Sequence, residues 1–410
     1  VQPLSNYSNL IFTDRISSED NLKQIINFII SAGKSRNKIL IATGDVHYLS
    51  KNHKQFRDVF INSQAKGKKY HPLYDFKKRM KENPNQHFRT TREMLEEFSF
   101  LSDDLAYEIV VKNTNILADK IDLLKPLKEG TYAPKMDGAE EKLKQLTFKK
   151  AYDIYGETLP DIVSKRIKKE LDSIISNNFA VIYYISHLLV KKSLNDGYIV
   201  GSRGSVGSSL VAFLTDITEI NALQPHYVCN NCKFSDFSDF ENIYNGVDLP
   251  EKNCPKCGMV LKGDGHNIPF ETFLGFKGDK VPDIDLNFSG EYQAIAHEYT
   301  RELFGEDHVF RAGTVSTVKE KTAYGYVRNF LESNNMIETT RKAHVNYLVC
   351  NCQNVKTTTG QHPGGIIVIP QDMDVYDFTP IQFPAEDIEA SWKTTHFDFH
   401  AIHDNVLKLD

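Results

Sequence analysis

The first 50 residues alternate strand and helix, starting from a short apolar run at Leu10–Thr13. Leu22, Ile25, Ile26, Ile29 and Ile30 then recur at helical spacing, with Ser17 or Ser18 placed to cap the helix and Gly33 to end it. Lys38–Ala42 reads as a buried strand whose C-terminal end carries Thr43-Gly44-Asp45-Val46-His47. Between residues 90 and 200 the pattern turns helical: Arg92–Phe98 opened by Thr90 or Thr91, then amphipathic stretches at Asp103–Ile121, Ala139–Tyr155 and Leu159–Lys192. Pro126–Pro134, with Gly130, reads as a linker between a first and a second domain. The longest apolar run, Phe179–Val190, falls short of the roughly 18–20 residues of a membrane span and contains Ser186 and His187, so it reads as a buried helix. No tandem repeat or low-complexity tract interrupts these segments.

Composition changes this picture little. The chain has 410 residues, 40% hydrophobic and 25% charged, which excludes a disordered tail, a collagen-like repeat and a disulfide miniprotein. That length suits two to four domains. The chain opens on Val1 rather than Met and stops at Asp410, as a piece of a longer protein would, and nothing at its start resembles a signal peptide. Charge is more informative. The net of −5 argues against a nucleic-acid partner, yet Lys51–Arg92 holds 12 Lys/Arg against three acids, a local +9. Phe56, Tyr70, Tyr74, Phe76 and Phe88 are interleaved there, a combination suited to a phosphate backbone. Gln371–Asp410 carries nine Asp/Glu against Lys393 and Lys408, a local −7.

Four segments carry chemistry. Gly201-Ser202-Arg203-Gly204-Ser205-Val206-Gly207-Ser208-Ser209 follows the strand Tyr198–Val200 and precedes the apolar Leu210–Leu214. Its glycines allow a tight turn with amides facing an anion, and Arg203 adds a fixed charge. Read alone it is a phosphate cradle or a plain Gly/Ser-rich turn, and it matches neither a dinucleotide fingerprint nor a Walker loop. Cys229-x-x-Cys232 and Cys254-x-x-Cys257, 21 residues apart, have the spacing of a tetrahedral structural Zn²⁺ site; Cys350 and Cys352 read as isolated buried thiols. In Pro282-Asp283-Ile284-Asp285-Leu286-Asn287-Phe288, period two puts Asp283 and Asp285 on one face, where close like charges call for cations between them. Downstream of a phosphate loop, that pair suggests two-metal phosphoryl or nucleotidyl transfer. Lys356–Gly365 makes a polar turn feeding the strand Ile366–Ile369, with His362 capping the turn or touching phosphate. Asp45 and His47, two apart on an extended segment, are candidates for a shared metal or for a strand-end hydrogen-bond pair.

Taken in order, Gly-Ser-Arg-Gly-Ser-x-Gly-Ser-Ser, Pro-Asp-Ile-Asp-Leu-Asn-Phe-Ser-Gly and Thr-Gly-Gln-His-Pro-Gly-Gly resemble the bacterial C-family replicative DNA polymerases, and the Cys₄ insertion resembles the PolC type of the DNA polymerase III alpha subunit. The segment Ala42–Leu49 looks like the late metal motif of that family's PHP domain, a metallophosphoesterase-like barrel. The resemblance implies an α/β and α+β multidomain chain. Residues 1–125 would be the C-terminal part of a PHP-like β/α barrel and 126–312 a nucleotidyltransferase-like (Pol β-like) palm with a zinc insertion at about 226–262. Residues 313–358 would form a helical thumb with Lys319, Lys321 and Arg328 toward primer–template, and 359–410 the second part of the palm. It implies two catalytic Mg²⁺ ions on Asp283, Asp285 and a third aspartate. Lys408-Leu409-Asp410 fits that third motif, with Asp398 as the fallback. Arg203, Gly204 and Ser205 would bind the triphosphate, and Asp45 and His47 would be two PHP ligands for Mn²⁺ or Zn²⁺. The implied activity is dNTP transfer to a primer 3′-OH, in a bacterial cytoplasm, with a sliding clamp and other replisome subunits as partners through regions outside this chain; this fragment would lack fingers. The competing reading is a PHP-type metal-dependent phosphoesterase built on Asp45 and His47, with the rest as a nucleic-acid scaffold; a non-catalytic zinc-ribbon binding module is a further alternative.

Overall fold

The computed structural model describes residues 1–63, 70–74, 82–275, 282–383 and 387–409 of a mixed α/β chain. It divides into two compact units, Val1–Leu124 with Ser316–Thr358, and Lys125–Val315 with Thr359–Asp410.

In the first unit the leading apolar run is a short helix, Ser8–Phe12, rather than a strand. Helix α1 (Glu19–Ser35) starts at Ser18, whose hydroxyl accepts the Asn21 N–H at 3.2 Å. Leu22, Ile26 and Ile30 are buried, whereas Ile25 and Ile29 flank the stripe and stay 40% and 48% exposed. The helix runs two residues past Gly33. A Cβ at that glycine would lie 2.5 Å from the Leu40 side chain, so Gly33 serves packing rather than termination. Lys38–Ala42 forms no strand: its lateral neighbour is Val1, which donates to the Ile41 carbonyl at 2.8 Å and accepts the Thr43 N–H at 2.9 Å, too short a partner for a ladder. Its Ala42 N–H donates to the Ile109 carbonyl at 2.9 Å, in the π-helical turn Glu108–Lys112. Helix α2 (Lys54–Asn62) buries Phe56 and Val59, and α3 (Thr91–Glu97) opens on a capping box between Thr90 and Glu93.

The second unit begins with α4 (Ala139–Tyr155), α5 (Asp161–Ser176) and α6 (Ala180–Asn195). The stretch expected as one helix over Leu159–Lys192 breaks after Ser176, where Asn178 takes φ 60°, and its halves meet at 109°. Among the described residues no single helix is long and apolar enough to cross a membrane. Strand β1 (Gly201–Arg203) and helix α7 (Leu210–Leu214) follow. Next comes a three-stranded antiparallel ribbon of β2 (His226–Val228), β3 (Ser235–Asp236) and β4 (Lys262–Asp264), with β2 central. Strand β5 (Asp285–Asn287) pairs antiparallel with β1, and α8 (Gln293–Phe304) leads to β6 (Val309–Thr317).

Helices α9 (Glu320–Ser333) and α10 (Lys342–Cys352) belong to the first unit. Their Val327, Leu331, Leu348 and Val349 complete the core around Phe56 and Val59 of α2. The chain then forms β7 (Lys356–Val368), β8 (Ile381–Gln382), β9 (Thr394–Thr395) and β10 (Leu407–Leu409), which with β6 make a five-stranded sheet of order β10-β7-β6-β9-β8. The β1–β5 pair and this sheet are hydrogen-bonded separately but share one apolar core. Ile284 and Leu286 on one side meet the same cluster as Ile366, Val368, Leu407 and Leu409. That cluster also takes the inner faces of α4, α5 and α6.

Candidate active site and metal centre

The Gly/Ser loop and the acidic segment meet strand to strand. β1 and β5 pair with Gly201 opposite Asn287, Ser202 opposite Leu286 and Arg203 opposite Asp285. The strand thus lies three residues beyond the expected Tyr198–Val200, inside the loop motif itself. Ile284 and Leu286 are buried, Asp283 is exposed and the Asp285 side chain is 17% exposed, as period-two alternation demands. Arg203 Nη1 sits 3.4 Å from Asp285 Oδ2. Gly204 takes φ +79°, and a Cβ there would lie 3.9 Å from the same Oδ2, so glycine both permits the turn and keeps the carboxylate accessible. Asp283 also lines an open cleft of about 1660 Å³ together with Lys135, His400, His403 and Lys408.

The later serines of the loop face inward. Ser208 and Ser209 are buried; Ser208 Oγ donates to the Ser205 carbonyl at 2.7 Å and Ser209 Oγ to Glu170 Oε2 at 2.8 Å. The part of the loop open to a ligand is therefore Arg203–Ser205 with Gly207. Glu170 gave no signal in the sequence, being one acid in an amphipathic helix; only Arg166, four residues earlier, hinted at a pair. The expected polar turn at Lys356–Gly365 is instead part of strand β7, within which His362 Nδ1 accepts the Gly365 N–H at 2.8 Å. Asp398 is engaged on both oxygens, Oδ2 by Val315 N–H at 2.7 Å and Oδ1 by the N–H and ring of His400 at 3.0 and 2.7 Å. Asp410 lies outside the described residues.

The four cysteines of the ribbon converge. All four Sγ atoms lie within 4.8 Å of one another, with Cys229–Cys257 at 3.4 Å and Cys232–Cys254 at 3.5 Å, and none is disulfide-bonded. Tetrahedral ligation at 2.3 Å requires sulfur atoms about 3.8 Å apart, so the thiols are spaced for one ion. Each knuckle turns back on itself through Lys233 (φ 64°) and Gly258 (φ 74°), whose N–H groups donate to the Cys229 and Cys254 carbonyls. Among the described residues this is the one cluster of three or more such ligands. Of the two leftover thiols, Cys352 is buried, and its pKa is pushed up to about 11 by burial, but Cys350 is exposed rather than buried.

Asp45 and His47 do meet: His47 Nε2 lies 3.4 Å from Asp45 Oδ1, and Gln86 Nε2 donates to Asp45 Oδ2 at 2.7 Å. Gln86 in turn accepts from Arg57 Nε at 3.2 Å. Burial, with that guanidinium, holds the His47 pKa below its usual value. The basic stretch is described only in part. Lys66, Lys68, Lys69, Lys77, Lys78, Arg79, Lys81 and Phe76 lie outside the described residues. Arg89 is interior, its side chain 1% exposed and bonded to Ser5, Asn6 and Glu97, and Phe56 is a core residue. Tyr70 and Tyr74 stack at 4.3 Å. Lys319, Lys321 and Arg328 are exposed on and beside α9, with Arg328 Nε 2.7 Å from Glu332.

Comparison with known proteins identifies the family. The family described as Bacterial DNA polymerase III alpha NTPase domain matches residues 141–344 and 326–410. "DNA polymerase III PolC-type" of Listeria monocytogenes and of Bacillus subtilis are each 57% identical over 410 residues, all of this chain, and so is that of Staphylococcus epidermidis. The chain spans 28% of the length of these relatives. The loop, the aspartate strand and the sheet that shares their core all fall within the matched residues, and the chain is a member of the bacterial DNA polymerase III alpha NTPase-domain family.

Proposed function

We propose that this chain is a central segment of a template-directed replicative DNA polymerase, with nucleotidyl transfer centred on Asp283, Asp285 and Asp410. The observation that carries this reading is the register of β1 on β5, which sets Arg203, the cation of the phosphate loop, directly against an aspartate of the Asp-x-Asp pair. A carboxylate pair on one face, one member already attracting a guanidinium, is a donor set that suits hard divalent cations. Asp283 and Asp285, with Asp410 as third, would hold two Mg²⁺ ions. When bound, such ions acidify the primer 3′-OH and stabilise charge on the departing pyrophosphate. Arg203, half exposed beside Asp285, is placed to meet the triphosphate, and Gly204 and Ser205 form the turn against which it would rest.

In this reading residues 1–125 derive from a PHP domain, 126–312 and 359–410 form the palm, and 313–358 a thumb carrying Lys319, Lys321 and Arg328 toward primer–template. The four cysteines hold a structural Zn²⁺ that folds the ribbon and performs no chemistry. Asp45 and His47 supply two donors to a PHP metal completed from elsewhere in the longer protein. The dNTPs, the DNA duplex, the clamp and other replisome subunits, and a cytoplasmic location follow from the same reading. Asp283→Asn or Asp285→Asn in the complete polymerase is expected to abolish primer extension and leave primer–template affinity essentially unchanged. Normal extension by either variant would sink the assignment.

A further inference from the structure

Glu170 is fully buried in α5, 33 residues before Arg203, and its carboxylate is saturated. Oε1 accepts from Arg166 Nε and from the Leu210 N–H at 3.0 Å; Oε2 accepts the Ser209 hydroxyl at 2.8 Å and the Val211 N–H at 3.0 Å. The Ser209 hydroxyl also receives the Tyr183 O–H and the Ala212 N–H, both at 3.1 Å. Arg166 spends its other arm on the Ser208 carbonyl at 2.7 Å and the Ile268 carbonyl at 3.0 Å. A buried carboxylate is tolerated only when its charge and its lone pairs are met, and here all four acceptor positions are used.

The placement is informative. Where a glycine-rich loop enters a helix, the first helical amides ordinarily await an anion. In this chain an internal anion already occupies them, so the start of α7 is closed to phosphate. We infer that Glu170, neutralised by Arg166, is a positioning residue. It fixes the rear end of the loop at Ser208–Val211, while β1–β5 pairing fixes its front end, so that Arg203–Ser205 is held ready for a triphosphate without ordering on binding. This inference rests on the polymerase reading of the loop. Its energetic logic is preorganisation: freedom removed in advance is not lost when nucleotide binds.

The test uses the complete polymerase in single-turnover incorporation at saturating primer–template. Glu170→Gln keeps size and shape but turns an amide N–H₂ toward groups that are all donors. It is expected to weaken dNTP binding by about tenfold, the scale of one lost charged hydrogen bond, with primer–template affinity unmoved. Arg166→Lys keeps the charge and loses the fork to Ser208 and Ile268, and should shift dNTP affinity in the same direction. If Glu170→Gln folds poorly, Ser209→Ala removes a single partner of the carboxylate and should still weaken dNTP binding selectively. Arg203→Ala is the control for the underlying reading. Weakened dNTP binding in Arg203→Ala but not in Glu170→Gln, Arg166→Lys or Ser209→Ala overturns the positioning role alone. Unaltered dNTP binding in Arg203→Ala overturns the reading of the loop itself. Equal losses of dNTP and DNA affinity in the Glu170 and Ser209 variants would show a merely structural role and likewise overturn the inference.

Discussion

A carboxylate can ligate a metal only with the lone pairs its neighbours leave to it. Asp398 spends Oδ2 on the Val315 amide and Oδ1 on the His400 amide and ring, so it caps the turn Phe399–Ala401 and ties it to β6. Those backbone donors hold its pKa below the usual carboxylate value although burial works the other way. Asp398→Asn should therefore cost about 1–3 kcal/mol of stability through the unmet amide, readable in a denaturant titration, while primer extension survives at permissive temperature. Asp410→Asn should do the opposite, reducing extension by about a hundredfold or more with little change in unfolding. Extension lost with Asp398 and kept with Asp410 would reverse the two roles.

At the scale of elements, the ribbon is three strands of two or three residues around a satellite core of Tyr227, Cys229, Cys254 and Leu261. So small a core does not hold strands alone; the proposed ion on the four cysteines would contribute the missing folding free energy. Cys254→Ser is expected to remove one equivalent of zinc per chain and open the ribbon to protease, with Cys350→Ser altering neither. Zinc retained in full by Cys254→Ser would argue against the ribbon site. The knuckles were readable in the sequence because ligand chemistry imposes its own spacing. Asp283 and Asp285 were readable because period two is intrinsic to a strand. The position of β1 was not, since a strand's limits are set by its partner, here Asp285–Asn287. Nor was the break between α5 and α6 expected, where the polar Ser176-Asn177-Asn178 interrupts the apolar pattern and Asn178 takes a left-handed backbone. Lys38–Ala42 misled because a short apolar run fits a coil as well as a sheet, and of this one only Ala42 is buried while Ile39 stays exposed. Glu170 was hidden because its partners lie some 40 residues away, at the start of another helix.

For the molecule as a whole, the net −5 conceals a division of charge. The first unit has 25 Lys/Arg against 18 Asp/Glu, or +7, and the second has 24 against 36, or −12. Under the proposed polymerase reading, an acidic unit that takes up DNA and triphosphate would need cations to offset repulsion. Primer–template affinity of the complete polymerase should fall steeply with salt. Replacing Lys319, Lys321 and Arg328 together by Ala should lower that log–log slope by about 0.9 for each phosphate these side chains neutralise. An unchanged slope would remove these side chains from the DNA interface. The discontinuity of the first unit has a different consequence, for synthesis. Phe56 and Val59 emerge from the ribosome roughly 270–290 residues before Val327, Leu331, Leu348 and Val349, which bury them. At about 5–20 residues per second, that half-core waits on the order of tens of seconds for its packing partners while the intervening chain is still being made.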